Sequence, residues 1–251
     1  MKKLIFLYIQ AGLFLSLVVS CKKDLSPEAN ASFTIVNAVP GSDNLVANFR
    51  TNYETYGNYP VGLSVKYRTY EPNHHLTILA KEQPLLIYKT PATGQDKPVY
   101  QLSLNPAPGE ASTLFLTGTL AEPETVLITK LPPYHAVADS VLGLRFVNLA
   151  PGKTPVRIRI SGEGTDLSVN NLAYKAATDY LSVKANAKVG NVLVEFLDQV
   201  SGTLLQKYTL KDVGTTTLEK SKWRYRNYTL VWLPNDANGS LAAEPFLIDD
   251  F

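Results

Sequence analysis

Phe33-Thr34-Ile35-Val36-Asn37-Ala38-Val39-Pro40-Gly41 and Leu144-Arg145-Phe146-Val147-Asn148-Leu149-Ala150-Pro151-Gly152 are one segment written twice, 111 residues apart. Val36-Asn37 aligns with Val147-Asn148, and Pro40-Gly41 with Pro151-Gly152. Each copy runs on into a second β-type stretch, Leu45-Val46-Ala47-Asn48-Phe49 and Val156-Arg157-Ile158-Arg159-Ile160. In the latter, apolar and basic side chains alternate with a period of two, the mark of a strand with one buried face. Pro-Gly turns the chain between the two strands of each copy.

Later segments correspond as well. Ser112–Thr117 matches Asn227–Trp232, and Thr125–Ile128 matches Pro245–Ile248; His75–Leu79 resembles Asn191–Phe196. A repeat this long is domain-sized, so it marks a duplicated domain rather than a solenoid. No sustained amphipathic helical period occurs after residue 32, although Asn170–Ala177 could form one helical turn. Short strands punctuated by turn residues predict an all-β fold: two tandem immunoglobulin-like antiparallel β-sandwich domains. An eight-stranded barrel is the alternative. The expected boundaries are a leader at 1–20, a tether at 21–31, sandwiches at 32–131 and 143–251, and a linker at 132–142 that Pro132-Pro133 stiffens. Asn238-Gly239 predicts a hairpin turn. Between Lys222 and Arg226 basic residues take even positions. From Tyr228 to Trp232 the even positions are apolar, so a β-bulge is expected near Arg226-Asn227.

The amino terminus gives an address. Lys2-Lys3 precedes an uncharged apolar stretch, Leu4–Val19, and Val18-Val19-Ser20 leads into Cys21, the chain's single cysteine. A basic head, an apolar core and a small residue before the cut describe a secretory leader. The stretch is shorter than the ~20 residues that span a bilayer. Val18-Val19-Ser20-Cys21 resembles a bacterial lipobox, which implies cleavage before Cys21 and acylation of its sulfur. Two acyl chains suffice for stable attachment. Lys22 stands where an inner-membrane retention aspartate would sit, which points to the outer membrane. Lys22-Lys23-Asp24 partly resembles the charged signal that sends Bacteroidota lipoproteins to the cell surface.

Loss of Lys2 and Lys3 with the leader leaves 22 basic and 22 acidic side chains. A neutral chain argues against a nucleic-acid partner. With Cys21 acylated, no disulfide can form, and the cores must carry the fold alone. His74, His75 and His135 lack the spacing of a zinc motif, so neither a metal nor a cofactor is expected. No nucleophile elbow or phosphate loop appears, and no catalysis is expected.

The first copy has one feature of its own. Tyr53, Tyr56, Tyr59, Tyr67 and Tyr70 crowd into eighteen residues with Arg50, Lys66 and Arg68. Such tyrosines can stack on sugar rings, or serve as half-buried strand residues. Arg157 and Arg159, and Lys220, Lys222, Arg224 and Arg226, form basic rows that suit solvated faces or an anionic partner. Asp139-Ser140-Val141 resembles the three-residue O-glycosylation motif of Bacteroidota exported proteins, which implies modification at Ser140.

The Val147-Asn148-Leu149-Ala150-Pro151-Gly152 strand end, together with the Tyr180-Leu181-Ser182-Val183 step, resembles domain-of-unknown-function family 4397. That family is often duplicated in bacterial cell-envelope proteins, including Bacteroidota lipoproteins. The resemblance implies a β-sandwich at a surface or envelope and lends no catalytic residue. The expected role is therefore binding or structural, with a glycan, a peptide or another envelope protein as partner and the membrane as anchor point. An adhesion or assembly component with purely protein contacts, and a polysaccharide hydrolase, are the alternatives.

Overall fold

The computed structural model describes residues 28–51, 55–56, 59–69, 75–91, 97–150, 152, 154–217, 222–233 and 246–250. The leader, Cys21, Tyr53, Tyr70 and Asn238-Gly239 lie outside them. Among the described residues no helix occurs.

The first copy comprises β1 (Asn30–Asn37), β2 (Asn44–Asn48), β3 (Thr55–Tyr56), β4 (Tyr59–Pro60), β5 (Leu63–Lys66), β6 (His75–Leu79), β7 (Gln83–Lys89), β8 (Tyr100–Leu104), β9 (Ala111–Gly118) and β10 (Pro123–Ile128). The second comprises β11 (Val141–Asn148), β12 (Val156–Gly162), β13 (Thr165–Leu172), β14 (Leu181–Lys184), β15 (Val192–Asp198), β16 (Leu204–Leu210), β17 (Asn227–Trp232) and β18 (Phe246–Asp249). One sheet of each sandwich has the order β10-β9-β1-β6 or β18-β17-β11-β14. The other has β5-β2-β7-β8 or β13-β12-β15-β16. The copies thus match strand for strand, and the short β3–β4 hairpin is an insertion in the first alone. β6 corresponds to β14, and β7 to β15. This corrects the sequence match of His75–Leu79 with the β15 segment: both are alternating apolar runs, and only pairing distinguishes them.

Each sandwich has its own core. Phe33, Ile35, Leu45, Leu85, Ile87 and Leu116 fill the first; Leu144, Phe146, Ile158, Val194, Phe196 and Trp232 fill the second. Two closed cores exclude the barrel. Pairing is antiparallel except for β1 with β9 and β11 with β17, which run parallel. The first and last long strands of each copy therefore lie side by side, and all four begin at the same end of the molecule. Ser32, Ala111 and Asn227 line one cavity there. This is the junction end of the molecule.

A third cluster joins the copies. Val36, Ala38 and Phe115 from β1, β9 and their extensions meet Val147, Leu149, Val231, Leu233 and Ile248 from the second copy. The sheet containing β1 and β9 packs face to face on the sheet containing β11 and β17, giving four layers. Both faces of these inner strands are buried: every residue of β17 is inaccessible, and all of β11 except Val141. Burying a large apolar side chain contributes roughly 1.5–3 kcal/mol. Seven such residues give an interface of domain-core character, where tandem domains ordinarily move against each other.

The repeated asparagine is the pin of each sandwich. Asn37 Nδ2 donates to the Val65 carbonyl (3.0 Å) and to Ser42 Oγ (2.9 Å), while its Oδ1 accepts from the Val39 amide (3.0 Å). Asn148 Nδ2 donates to the carbonyls of Thr154 (2.9 Å) and Leu172 (3.0 Å), and its Oδ1 accepts from the Ala150 amide (3.0 Å). Each asparagine ties an inner strand to the outer sheet and holds the turn that follows. No apolar residue of that size could satisfy those backbone groups.

The bulge expected near Arg226-Asn227 is not there. Residues 222–226 form a turn, with Tyr225 at φ 64°, and β17 starts at Asn227. Alternation in this segment arises because Trp223 reaches the core, where its Nε1 donates to the Lys211 carbonyl at 2.8 Å. Register shifts occur instead between Val156 and Ile158 and between Phe196 and Leu197. Asn170–Ala177 is strand and turn, with no helical turn.

Candidate functional site

Two surface cavities stand out, and they differ in chemistry. The first, about 730 Å3, lies on the outer sheet of the first sandwich. Glu82, Gln83, Gln101 and Ser103 supply polar groups at its rim, with Pro84 and Leu86 as the apolar floor. β7 and β8 run antiparallel with Pro84 opposite Ser103 and Leu86 opposite Gln101, so the groove follows that strand pair. Ser103 Oγ donates to Glu82 Oε1 (3.1 Å), and Gln83 Nε2 donates to the Leu79 carbonyl (2.7 Å), which fixes both rim groups. Thr51 also lines the groove, two residues before Tyr53 and at the entry to the inserted β3–β4 segment that carries Tyr56 and Tyr59.

The tyrosine cluster does not form one surface. The tetrapeptide β5 separates the hairpin from Tyr67, whose backbone bridges to Asn37 at the opposite end of the sandwich. Tyr67 is half-buried and packs against the interdomain cluster. Tyr56 and Tyr59 are paired across the hairpin, while their side chains lie outside the described residues. His75 sits within hydrogen-bonding distance of Thr34 Oγ1 (2.7 Å) on the neighbouring strand. His135 belongs to the linker, far along the chain, and no cluster of three or more potential metal ligands occurs among the described residues.

The second cavity, about 640 Å3, opens at the junction end. Pro132, Pro133, Tyr134 and Val137 of the linker form one wall, and Tyr225 forms part of the other. The linker is seated by side chains. His135 Nε2 lies 2.8 Å from Asn227 Oδ1, and Asn227 Nδ2 donates to the Pro133 carbonyl at 2.9 Å. Gly143 makes room for this: a Cβ there would stand 2.1 Å from Asn227 Oδ1 and 3.0 Å from His135 Nε2. Ser140 closes the linker with φ 47°, half-buried, and its Oγ accepts from Arg224 Nη2 at 3.0 Å. A glycan on that oxygen would displace the guanidinium.

Between the cavity and the interdomain core lies a buried charge pair. Arg145 Nη2 donates to Asp250 Oδ1 (3.2 Å), Nε donates to Thr229 Oγ1 (2.8 Å), and the guanidinium stands 4.7 Å from the Tyr180 ring centre. Thr229 Oγ1 also donates to Asp250 Oδ2. Burial pushes the Asp250 carboxyl up to about 6, against the opposing pull of Arg145 and Thr229. The same burial raises the Tyr180 phenol. Arg145 borders a small space of about 20 Å3, room for one water. At the rim, Glu124 of β10 accepts from Tyr174 (2.7 Å) and pairs with Lys175 (2.9 Å), and Lys130 pairs with Asp179. Sequence reasoning missed this network because its members are single residues far apart in the chain.

No protein-family model matches the chain, and no curated protein is similar to it. Among solved structures, an α-glucan-binding streptococcal virulence factor shares 12% identity with a TM-score of 0.25, covering 86% of this chain and 97% of that one. Family 41 carbohydrate-binding modules from streptococcal virulence factors share 9% identity at the same score and coverage. A multi-modular glycogen-degrading pneumococcal virulence factor shares 13% identity at a TM-score of 0.25, covering 88% of this chain and 22% of that one. Likenesses this distant carry no argument about fold or ligand.

Proposed function

We propose that this chain is a lipid-anchored protein of the bacterial outer membrane, facing outward, that binds glycan without transforming it. The observation that carries the binding reading is the groove on β7 and β8. An apolar floor of Pro84 and Leu86, edged by the amides and hydroxyl of Gln83, Gln101 and Ser103, suits a pyranose ring, which is apolar on its faces and polar at its rim. Thr51, which lines the groove, precedes the inserted tyrosine hairpin in the chain. Glu82 is the single carboxylate in the groove among the described residues, whereas glycoside hydrolysis ordinarily uses a pair. The lipobox-like Val18-Val19-Ser20-Cys21 supports the anchor. The four-layer packing supports a rigid body in which binding geometry is fixed in advance.

A glycan array probed with the mature chain, alongside Gln101→Ala and Tyr56→Ala, tests the reading. The expected result is a defined set of oligosaccharide hits that weaken about tenfold or more in both variants, with unchanged thermal stability. Absence of hits, or hits indifferent to both substitutions, would refute it.

A further inference from the structure

We propose that the junction end rests on the bilayer that holds the acyl chains, with Leu131, Tyr134 and Val137 entering the headgroup region. This inference rests on the anchor reading above and adds an orientation and a contact surface to it.

Eight large hydrophobic residues are exposed among the described ones, and three of them fall within the seven positions 131–137: Leu131 at 64%, Tyr134 at 89% and Val137 at 72%. They project from a segment held in place by the His135–Asn227 and Asn227–Pro133 hydrogen bonds, so their exposure is built into the fold. Pro132, Pro133 and Tyr225 extend the same surface as the wall of an apolar cavity. An apolar patch of this kind on a soluble face is a liability unless something covers it.

The position of the chain's amino-terminal strand names the occupant. Ser32 of β1 lines this cavity, and β1 begins two residues earlier, at Asn30. Cys21 precedes Glu28 by seven residues, which reach about 25 Å at full extension. An acylated Cys21 therefore keeps the junction end close to the membrane, and the β15–β16 turn, at the other end of the strands, remote from it. The surrounding chemistry fits an interface. A tyrosine sits well at headgroup depth, apolar ring inward and hydroxyl to water. Exposed Lys222 borders the same surface from the turn before β17 and suits anionic lipid, while Arg224 is held by Ser140 and Arg226 pairs with Asp249 at 3.7 Å.

The lone cysteine makes a clean test possible, because an acylated Cys21 leaves no free thiol. The full lipidated chain carrying Val137→Cys or Val200→Cys is labelled with an environment-sensitive fluorophore and reconstituted in phosphatidylethanolamine–phosphatidylglycerol vesicles. Val200 is 93% exposed in the β15–β16 turn and serves as the distal reference. The expected result is at least threefold stronger quenching at 137 than at 200 by lipids with a headgroup-depth nitroxide. Adding Leu131→Ser and Tyr134→Ser should bring position 137 down to the level of position 200 while the protein stays on the vesicles. Equal quenching at both positions, with intact mass showing acylated Cys21, would overturn the docking and leave the anchor standing. If position 137 is then shielded from aqueous iodide, the patch belongs to a protein partner or a second copy, which also overturns it. A chain without acyl groups would remove the anchor and the docking together.

Discussion

Asp250 gives the sharpest handle on the interdomain layer, through the pH dependence of stability. Its carboxyl is buried between the inner sheets, and its pKa stands at about 6 against an ordinary value of 3.8. The folded state therefore holds the proton more tightly than the unfolded state. This stabilisation is fully present below pH ~4, declines as pH rises through 6 and is gone by about pH 7. A shift of about two units corresponds to ~3 kcal/mol. Asp250→Asn removes the titration and keeps an oxygen for Arg145 and Thr229. The assay is urea unfolding of both proteins from pH 4 to 7.5, followed by the fluorescence of Trp223 and Trp232, both buried in the second sandwich. The stability of the wild type relative to Asp250→Asn should fall by roughly 2 kcal/mol between pH 4 and pH 7, because the unfolded carboxyl is already part-ionised at pH 4. Other groups titrate in both proteins and cancel in the difference. Parallel curves across that range would refute the claim that this carboxyl is held in a dry interdomain layer.

Three further outcomes follow from the geometry. Asn148→Ala removes one acceptor and two donors from buried backbone partners, and it should cost ~3 kcal/mol in urea unfolding; a loss under ~1 kcal/mol would contradict its role as a pin. Gly143→Ala drives a methyl into the Asn227 carboxamide, so limited proteolysis should cut within 131–140 several-fold faster than in the wild type, and unchanged cutting would show that the linker is not seated there. Phe115→Ala opens a hole between the sandwiches rather than inside one; it should cost ~3–5 kcal/mol, and hydrogen exchange should then show β7 and β15 opening at different free energies where they opened together before.

Much of the architecture is written locally. Alternation in Val156–Ile160 gives an outer strand with one dry face, and β12 alternates buried and accessible residues as that pattern requires. The inner strands carry a different mark. Leu144-Arg145-Phe146-Val147 and Tyr228-Thr229-Leu230-Val231-Trp232 are nearly continuous in apolar or small polar residues, as strands covered on both faces must be. That run was the available signal for face-to-face packing of the copies, and the repeat alone did not disclose it. Other features have no local trace. Leu-Ser-Val-Lys occurs as β5 and again as β14, which occupy non-equivalent sheets, so the tetrapeptide specifies a strand and leaves its partners open. Arg145 reads as a solvated strand residue until Asp250, 105 positions later, closes over it. In Lys222–Arg226 the alternation of a strand is produced by a turn that buries Trp223. For the candidate site, the tyrosines of the inserted hairpin were visible in the sequence. The groove on β7 and β8 was not, because Glu82 and Gln101 meet only through that strand pairing.

The whole functional account turns on a membrane-held amino terminus. Intact-mass and peptide mass spectrometry of the protein extracted from the outer-membrane fraction of its native host tests that most directly. The account predicts a first residue of Cys21 carrying diacylglycerol on its sulfur, with no residue of the leader retained. A mature chain that begins elsewhere, or begins at an unmodified Cys21, would contradict it.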